Sequence, residues 1–191
     1  MKMENNQQQH LDLIAEMINT ARSEFNDRSF IYLIWGWAVF IASLSQFAMI
    51  KMNMEYNFIG WAILMPLAAV AQMIGLRKQK RKERIKTMID KVSGYLWTAC
   101  GVCFGITLFS GNLLQLNAYP VLILLYGIGT FVSGGIMDLK PMVIGGACCW
   151  VIALVAFHTG FEIQLLLLAL SIMVSYIIPG YILKNRFRQN V

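Results

Sequence analysis

Six stretches of this chain are apolar, nearly free of charge and close to the length that crosses a membrane. They cover residues 29–50, 57–76, 92–111, 119–137, 141–157 and 163–183, and the fifth is the short one. About 20 apolar residues at 1.5 Å each span roughly 30 Å of hydrocarbon. Without water in that layer, every backbone N–H and C=O must be satisfied within the segment, so such runs predict helices. The expectation is an all-α integral membrane protein, a six-helix bundle over residues 29–183. Composition agrees, since charged residues are 14% of the chain against about 25% in a soluble domain.

Charge placement supplies an independent check. An even number of spans puts both termini on one side, together with the second and fourth connections. That side collects Lys2, Arg22 and Arg28, eight basic residues within 77–91, Lys140, and then Lys184, Arg186 and Arg188 of the tail at 184–191. The opposite side holds Lys51 alone. Basic residues accumulate in short cytoplasmic connections, so fifteen against one predicts cytoplasmic termini.

The run RKQKRKERIK, with Arg77, Lys78, Lys80, Arg81, Lys82, Arg84 and Lys86, is then first an orientation signal and a contact for anionic lipid. Ile85, Met88, Ile89 and Val92 follow i, i+3, i+4, i+7 spacing, so the third helix is expected to begin before the membrane and to bury one side of the connection. No helix-turn-helix, RNA-binding signature or metal finger accompanies the basic run, which speaks against a nucleic-acid partner.

Residues 1–28 form the second polar element. Leu11, Ile14, Ile18 and Phe25 lie on one helical stripe, whereas residues 11–27 carry four acids and one Arg. Helices that bind anionic lipid are basic on their polar face, so this amphipathic helix is expected to dock on protein. Either the basic connection of its own chain or a cytoplasmic protein partner would serve.

Within the spans no Asp, Glu, Lys, Arg or His lies away from the boundaries. Asp138, His158, Glu162 and Lys184 all fall at or beyond span ends. Ion-coupled carriers place such groups at membrane depth, so this pattern argues against one, while leaving room for a neutral or amphipathic ligand. Small residues at four-residue spacing offer close helix approach: Gly101 with Gly105, Gly129 with Ser133, Thr130 with Gly134, and Gly145 with Cys149. They serve packing within one bundle or a dimer. Pro66 and the IPG at 178–180 are expected to kink or end helices.

Cys100 and Cys103 form a CxxC, and Cys148 and Cys149 follow on a later span. A membrane thiol-redox enzyme or a thiolate metal site would use such pairs, but deep apolar surroundings leave thiols inert, and small buried packing residues are the plainer reading. Aromatic residues from Tyr32 to Trp37, with Tyr56, Trp61, Tyr95, Trp97, Tyr119 and Tyr181, sit near span ends as an interfacial belt. No phosphate loop, nucleophile–base order or zinc-protease motif appears, so no catalytic residue, cofactor or metal is expected.

The acidic N-terminal helix running into FIYLIWGWAVFIASL, then FVSGGIMDLKPMVIGG and a terminal IIPGYIL with a basic tail, resembles small uncharacterised multi-pass inner-membrane proteins of bacteria. The resemblance implies location and topology and carries no catalytic residue. Three functions follow in order: a non-enzymatic role in assembly or regulation through the cytoplasmic helix and basic run, a small-solute permease or substrate-binding membrane subunit, and a thiol-redox enzyme using Cys100 and Cys103.

Overall fold

The computed structural model describes residues 29–79, 88–114 and 118–186, and every regular element among them is helical. The helices are α1 (Ser29–Lys51), α2 (Ile59–Gln79), α3 (Met88–Leu114), α4 (Ala118–Ile136), α5 (Lys140–Phe157), α6 (Phe161–Ile172) and α7 (Ile178–Arg186). A π-helical turn, Met173–Ile177, joins α6 to α7, so Phe161–Asn185 is one continuous span. The N-terminal stripe of Leu11, Ile14, Ile18 and Phe25, the basic residues Lys80, Arg81, Lys82, Arg84 and Lys86, and the tail beyond Arg186 lie outside the described residues.

Five helical stretches are long and apolar enough to cross a membrane, namely α1, α3, α4, α5 and the α6–α7 span. The shorter apolar helix is in α2, Ile59–Gly75, rather than in α5. Asn57 and Phe58 belong to the preceding turn, where the Phe58 carbonyl accepts the amides of Trp61 and Ala62, so the second helix starts later than its apolar run. The connection expected at 77–91 is partly helical. Arg77 and Lys78 ride on the last turn of α2 and Lys91 on the first turns of α3, because Lys and Arg propagate helices well and no Gly or Pro interrupts them. Val92, on the second turn of α3, is exposed to the outside of the bundle.

Neither proline signal ends a helix. α2 continues through Pro66, and the IPG at 178–180 lies inside helix. Pro179 provides no N–H and its ring crowds the carbonyl four residues back, and the chain accommodates this by widening the turn just before it into π geometry.

Lipid tails are as apolar as leucine, so close packing and interhelical hydrogen bonds hold such helices together. α4 and α5 make the tightest pair. A Cβ at Gly146 would lie 2.7 Å from the Phe131 nitrogen and 2.8 Å from the Gly127 carbonyl oxygen, and one at Gly134 would lie 2.7 Å from the Val143 nitrogen. The adjacent Gly145 faces the π-turn, where a Cβ would sit 2.8 Å from the Val174 carbonyl oxygen. Two consecutive glycines thus let α5 contact backbone on two sides. The α4–α5 turn has the required chemistry. Asp138 adopts φ 50°, and the Leu139 amide reaches the Gly134 carbonyl at 2.8 Å, which closes α4 in the manner of a Schellman cap. Pro141 then opens α5, where its missing N–H costs nothing. Ile123, Met142, Cys149, Leu165, Leu168 and Ile172 fill the core.

Candidate functional site

Two polar and aromatic centres sit inside the bundle. The first gathers where α1 ends and α2, α4 and α6 begin. Gln46, 5% exposed, accepts hydrogen bonds at Oε1 from Trp61 Nε1 (2.7 Å) and from the Tyr119 hydroxyl (2.7 Å). Tyr119 stacks edge-on against Phe161 at 5.3 Å, and Lys51 pairs with Glu162 beside it. Gln164 Nε2 donates to the carbonyls of Ala156 (3.2 Å) and Thr159 (3.0 Å), satisfying acceptors that the end of α5 leaves over. On α1, Ser43 donates to the Leu165 carbonyl (2.6 Å), and at the other end of the α1–α2 pair Trp35 Nε1 donates to Gln72 Oε1 (2.7 Å). All but the bond to Thr159, which lies in the α5–α6 turn, join two helices, and except at Ser43 a glutamine amide in an apolar run is the sequence signal.

The second centre lies towards the opposite pole. Tyr176, in the π-turn, meets Tyr32 of α1 at 5.6 Å, Trp97 of α3 at 6.1 Å and Tyr126 of α4 at 5.5 Å, all edge-to-face. Tyr126 also packs on Phe104 of α3 at 4.7 Å. Trp97 covers Gly129, where a Cβ would lie 2.9 Å from the ring. The aromatic belt therefore divides: Tyr32, Trp35, Trp61, Trp97 and Tyr119 turn into the bundle, while Trp37, Tyr56, Tyr95 and Tyr181 are exposed. The inward rings either stack on one another or find a glutamine for their polar tip, which a free interface would not provide.

The small residues divide too. Gly129, Gly134 and Gly145 make close contacts, and Ser133 is buried beside them on α4. Gly101 and Gly105 meet nothing within 4 Å of where a Cβ would stand. The helix that carries them has 6% of its apolar window inside the bundle, against 33–56% for the other four full-length spans. Arg77 is exposed at the end of α2.

The cysteines of each sequence pair differ in burial. Cys100 is buried and Cys103 exposed on α3. On α5, Cys149 is fully buried and its thiol lies 3.7 Å from the Ser171 carbonyl, while Cys148 is half-buried. Among the described residues all four are free thiols, and no group of three His, Cys, Asp or Glu side chains could hold a metal. The reading of all four as small buried packing residues is therefore corrected at Cys103, which lies on the outward side of a helix that is itself peripheral.

No family model, curated protein or solved structure matches this chain.

Proposed function

We propose that the chain is a six-span inner-membrane protein of bacteria with cytoplasmic termini, which works by assembling with another membrane component and not by catalysis. One observation carries this reading. α3 is the long helix that the bundle barely encloses, it leads directly out of the basic connection, and among the described residues nothing lies within 4 Å of where a Cβ at Gly101 or Gly105 would stand. Small residues on a transmembrane helix gain from close approach of another backbone, whereas lipid gives them little. The interior polar groups support the same reading, because Gln46, Gln72, Gln164 and Ser43 are spent on tying helices together.

Topology is the first test. Cysteines introduced at Asn53 and Thr159 should react with an impermeant reagent in intact cells, and one at Gln79 should not; labelling of Gln79 from outside overturns the orientation. Assembly is the second. A photo-reactive residue at Val102 should give one discrete protein adduct in native membranes, and Gly105→Leu should abolish it. Adducts with lipid alone would defeat the assembly reading.

A further inference from the structure

We propose that the segment from Met54 to Phe58, between α1 and α2, is a wedge seated in the lipid boundary of the leaflet on its side of the membrane, and not an aqueous loop. The register of the two helices places it there. Gly60 lies level with Ser45, since a Cβ at Gly60 would stand 3.4 Å from Ser45 Cβ, and Trp61 Nε1 donates to Gln46 Oε1 at 2.7 Å. α1 runs six residues beyond Ser45, to Lys51, which is about 9 Å of helix. α2 opens at Ile59, so it begins one to two turns deeper than α1 ends. The chain between them therefore descends along the outside of the last turns of α1.

The backbone builds the reversal. Asn53 takes φ 53°, and the Met54 amide donates to the Met49 carbonyl at 3.0 Å, which caps α1 and turns the chain back. Apolar side chains occupy alternate positions, Met52, Met54, Tyr56 and Phe58, and all four are exposed, Tyr56 at 62% and Phe58 at 56%. The Tyr56 and Phe58 rings meet edge-on with centroids 6.4 Å apart, so the two point to one side. Asn53 and Glu55 stand exposed between the apolar positions, with the means to reach water. Lys51 and Glu162 mark the level of that water, because their ion pair is itself exposed at the ends of α1 and α6, and charged heads seek the headgroups. Phe58, next to the start of α2, lies below that level. Interfacial segments bury their apolar side about 5–10 Å into the headgroup and acyl boundary, the depth that the register gives Phe58. A water-soluble partner would have to reach beneath the headgroups to cover the same rings, whereas lipid is already there. The wedge also completes the short apolar helix Ile59–Gly75, whose roughly 25 Å falls below the roughly 30 Å of hydrocarbon. The inference rests on the spans lying in a bilayer and is independent of assembly through α3.

The test uses the full chain with its four cysteines changed to Ala, reconstituted in vesicles of phosphatidylcholine and phosphatidylglycerol. Asn53→Cys, Tyr56→Cys or Phe58→Cys is added singly and labelled with a nitrobenzoxadiazole fluorophore. Lipid carrying a nitroxide high on its acyl chain should quench the label at Phe58→Cys and Tyr56→Cys about three-fold more than at Asn53→Cys, and iodide in the buffer should give the reverse order. Iodide quenching at Phe58→Cys as strong as at Asn53→Cys overturns the wedge and returns the segment to water. Quenching by neither agent overturns it too, by showing protein over the patch. Should the cysteine-free chain not fold, a photo-reactive phenylalanine analogue in place of Tyr56 in the parent chain, in the same vesicles, decides instead. Adducts with lipid are then expected, and adducts with protein alone or with water alone overturn the wedge.

Discussion

α4 and α3 carry the same kind of small-residue spacing and use it in opposite ways. On α4, Gly127 and Gly134 are pressed against α5 so closely that a single added methyl would strike backbone or an indole ring. On α3, Gly101 and Gly105 look into open space. The difference teaches that spacing announces permission for close approach and says nothing about what approaches. The partner is set by the rest of the helix. Pro141 and the Asp138 cap return α5 immediately alongside α4, whereas α3 meets α4 through Trp97 and Phe104 and turns the face with Gly101 and Gly105 away from it.

The contrast breaks first, and most severely, in the core. Gly146→Leu and Gly134→Leu should each cost well over the roughly 1–3 kcal/mol typical of overpacking, because the obstacle is backbone, which yields less than a side chain. Loss of a monodisperse detergent-solubilised peak would be the expected readout. Retention of the parent's melting temperature by either variant would mean that α4 and α5 do not touch as described.

A smaller effect is expected at the polar pole. Gln46→Ala strands the Trp61 and Tyr119 donors, which are partly buried, so the loss should stay below about 1–3 kcal/mol for each. Adding Trp61→Phe and Tyr119→Phe to Gln46→Leu removes both partners with the acceptor and should recover part of the loss. Thermal unfolding of the single and triple variants measures the difference; a triple variant no better than Gln46→Ala alone would assign the cost to packing.

Much of this fold was legible in the sequence, and the reasons are physical. Apolar length locates the helices, because it is a one-dimensional quantity, while the fifteen-to-one placement of basic residues stays an expectation about their sides. Small-residue spacing alone did not tell the packed faces at Gly129, Gly134 and Gly145 from the open one at Gly101 and Gly105. What the sequence hid depends on rotation and neighbours. Tyr32, Trp97 and Tyr119 look like belt residues until the helices are placed, and only then does Tyr176, in a stretch of ordinary apolar residues, become the hub. The IPG reads as a stop because proline breaks water-exposed helices, yet in an apolar span the backbone keeps its bonds by widening a turn. The candidate contacts at Leu11, Ile14, Ile18 and Phe25 fall outside the described residues and remain expectations of the stripe.

Cysteine offers the next gradation within the same comparison. Cys149→Ala removes a fully buried side chain and the thiol contact to the Ser171 carbonyl, at a cost of about 1 kcal/mol or somewhat more from the lost volume. Cys103→Ala removes an exposed one and should fall within about 0.5 kcal/mol of the parent. Equal losses in unfolding experiments would contradict the outward placement of Cys103.

The smallest effect has the most informative sign. Alanine is the better helix former, by about 1 kcal/mol in water-exposed helices, and Gly101 and Gly105 have room for its methyl. Gly101→Ala and Gly105→Ala should therefore leave the isolated protein unchanged or raise its melting temperature slightly. The same change at Gly134 should lower it, since that methyl would stand 2.7 Å from the Val143 nitrogen. Opposite signs for one chemical substitution isolate the neighbour as the cause, because the propensity gain is common to all three sites. A lowered melting temperature at Gly101 or Gly105 in purified monomer would place a helix of this chain against α3 and remove the open face on which assembly depends. If the Ala variants are stable alone and yet lose the Val102 adduct in native membranes, the face is open in the chain and closed by a partner.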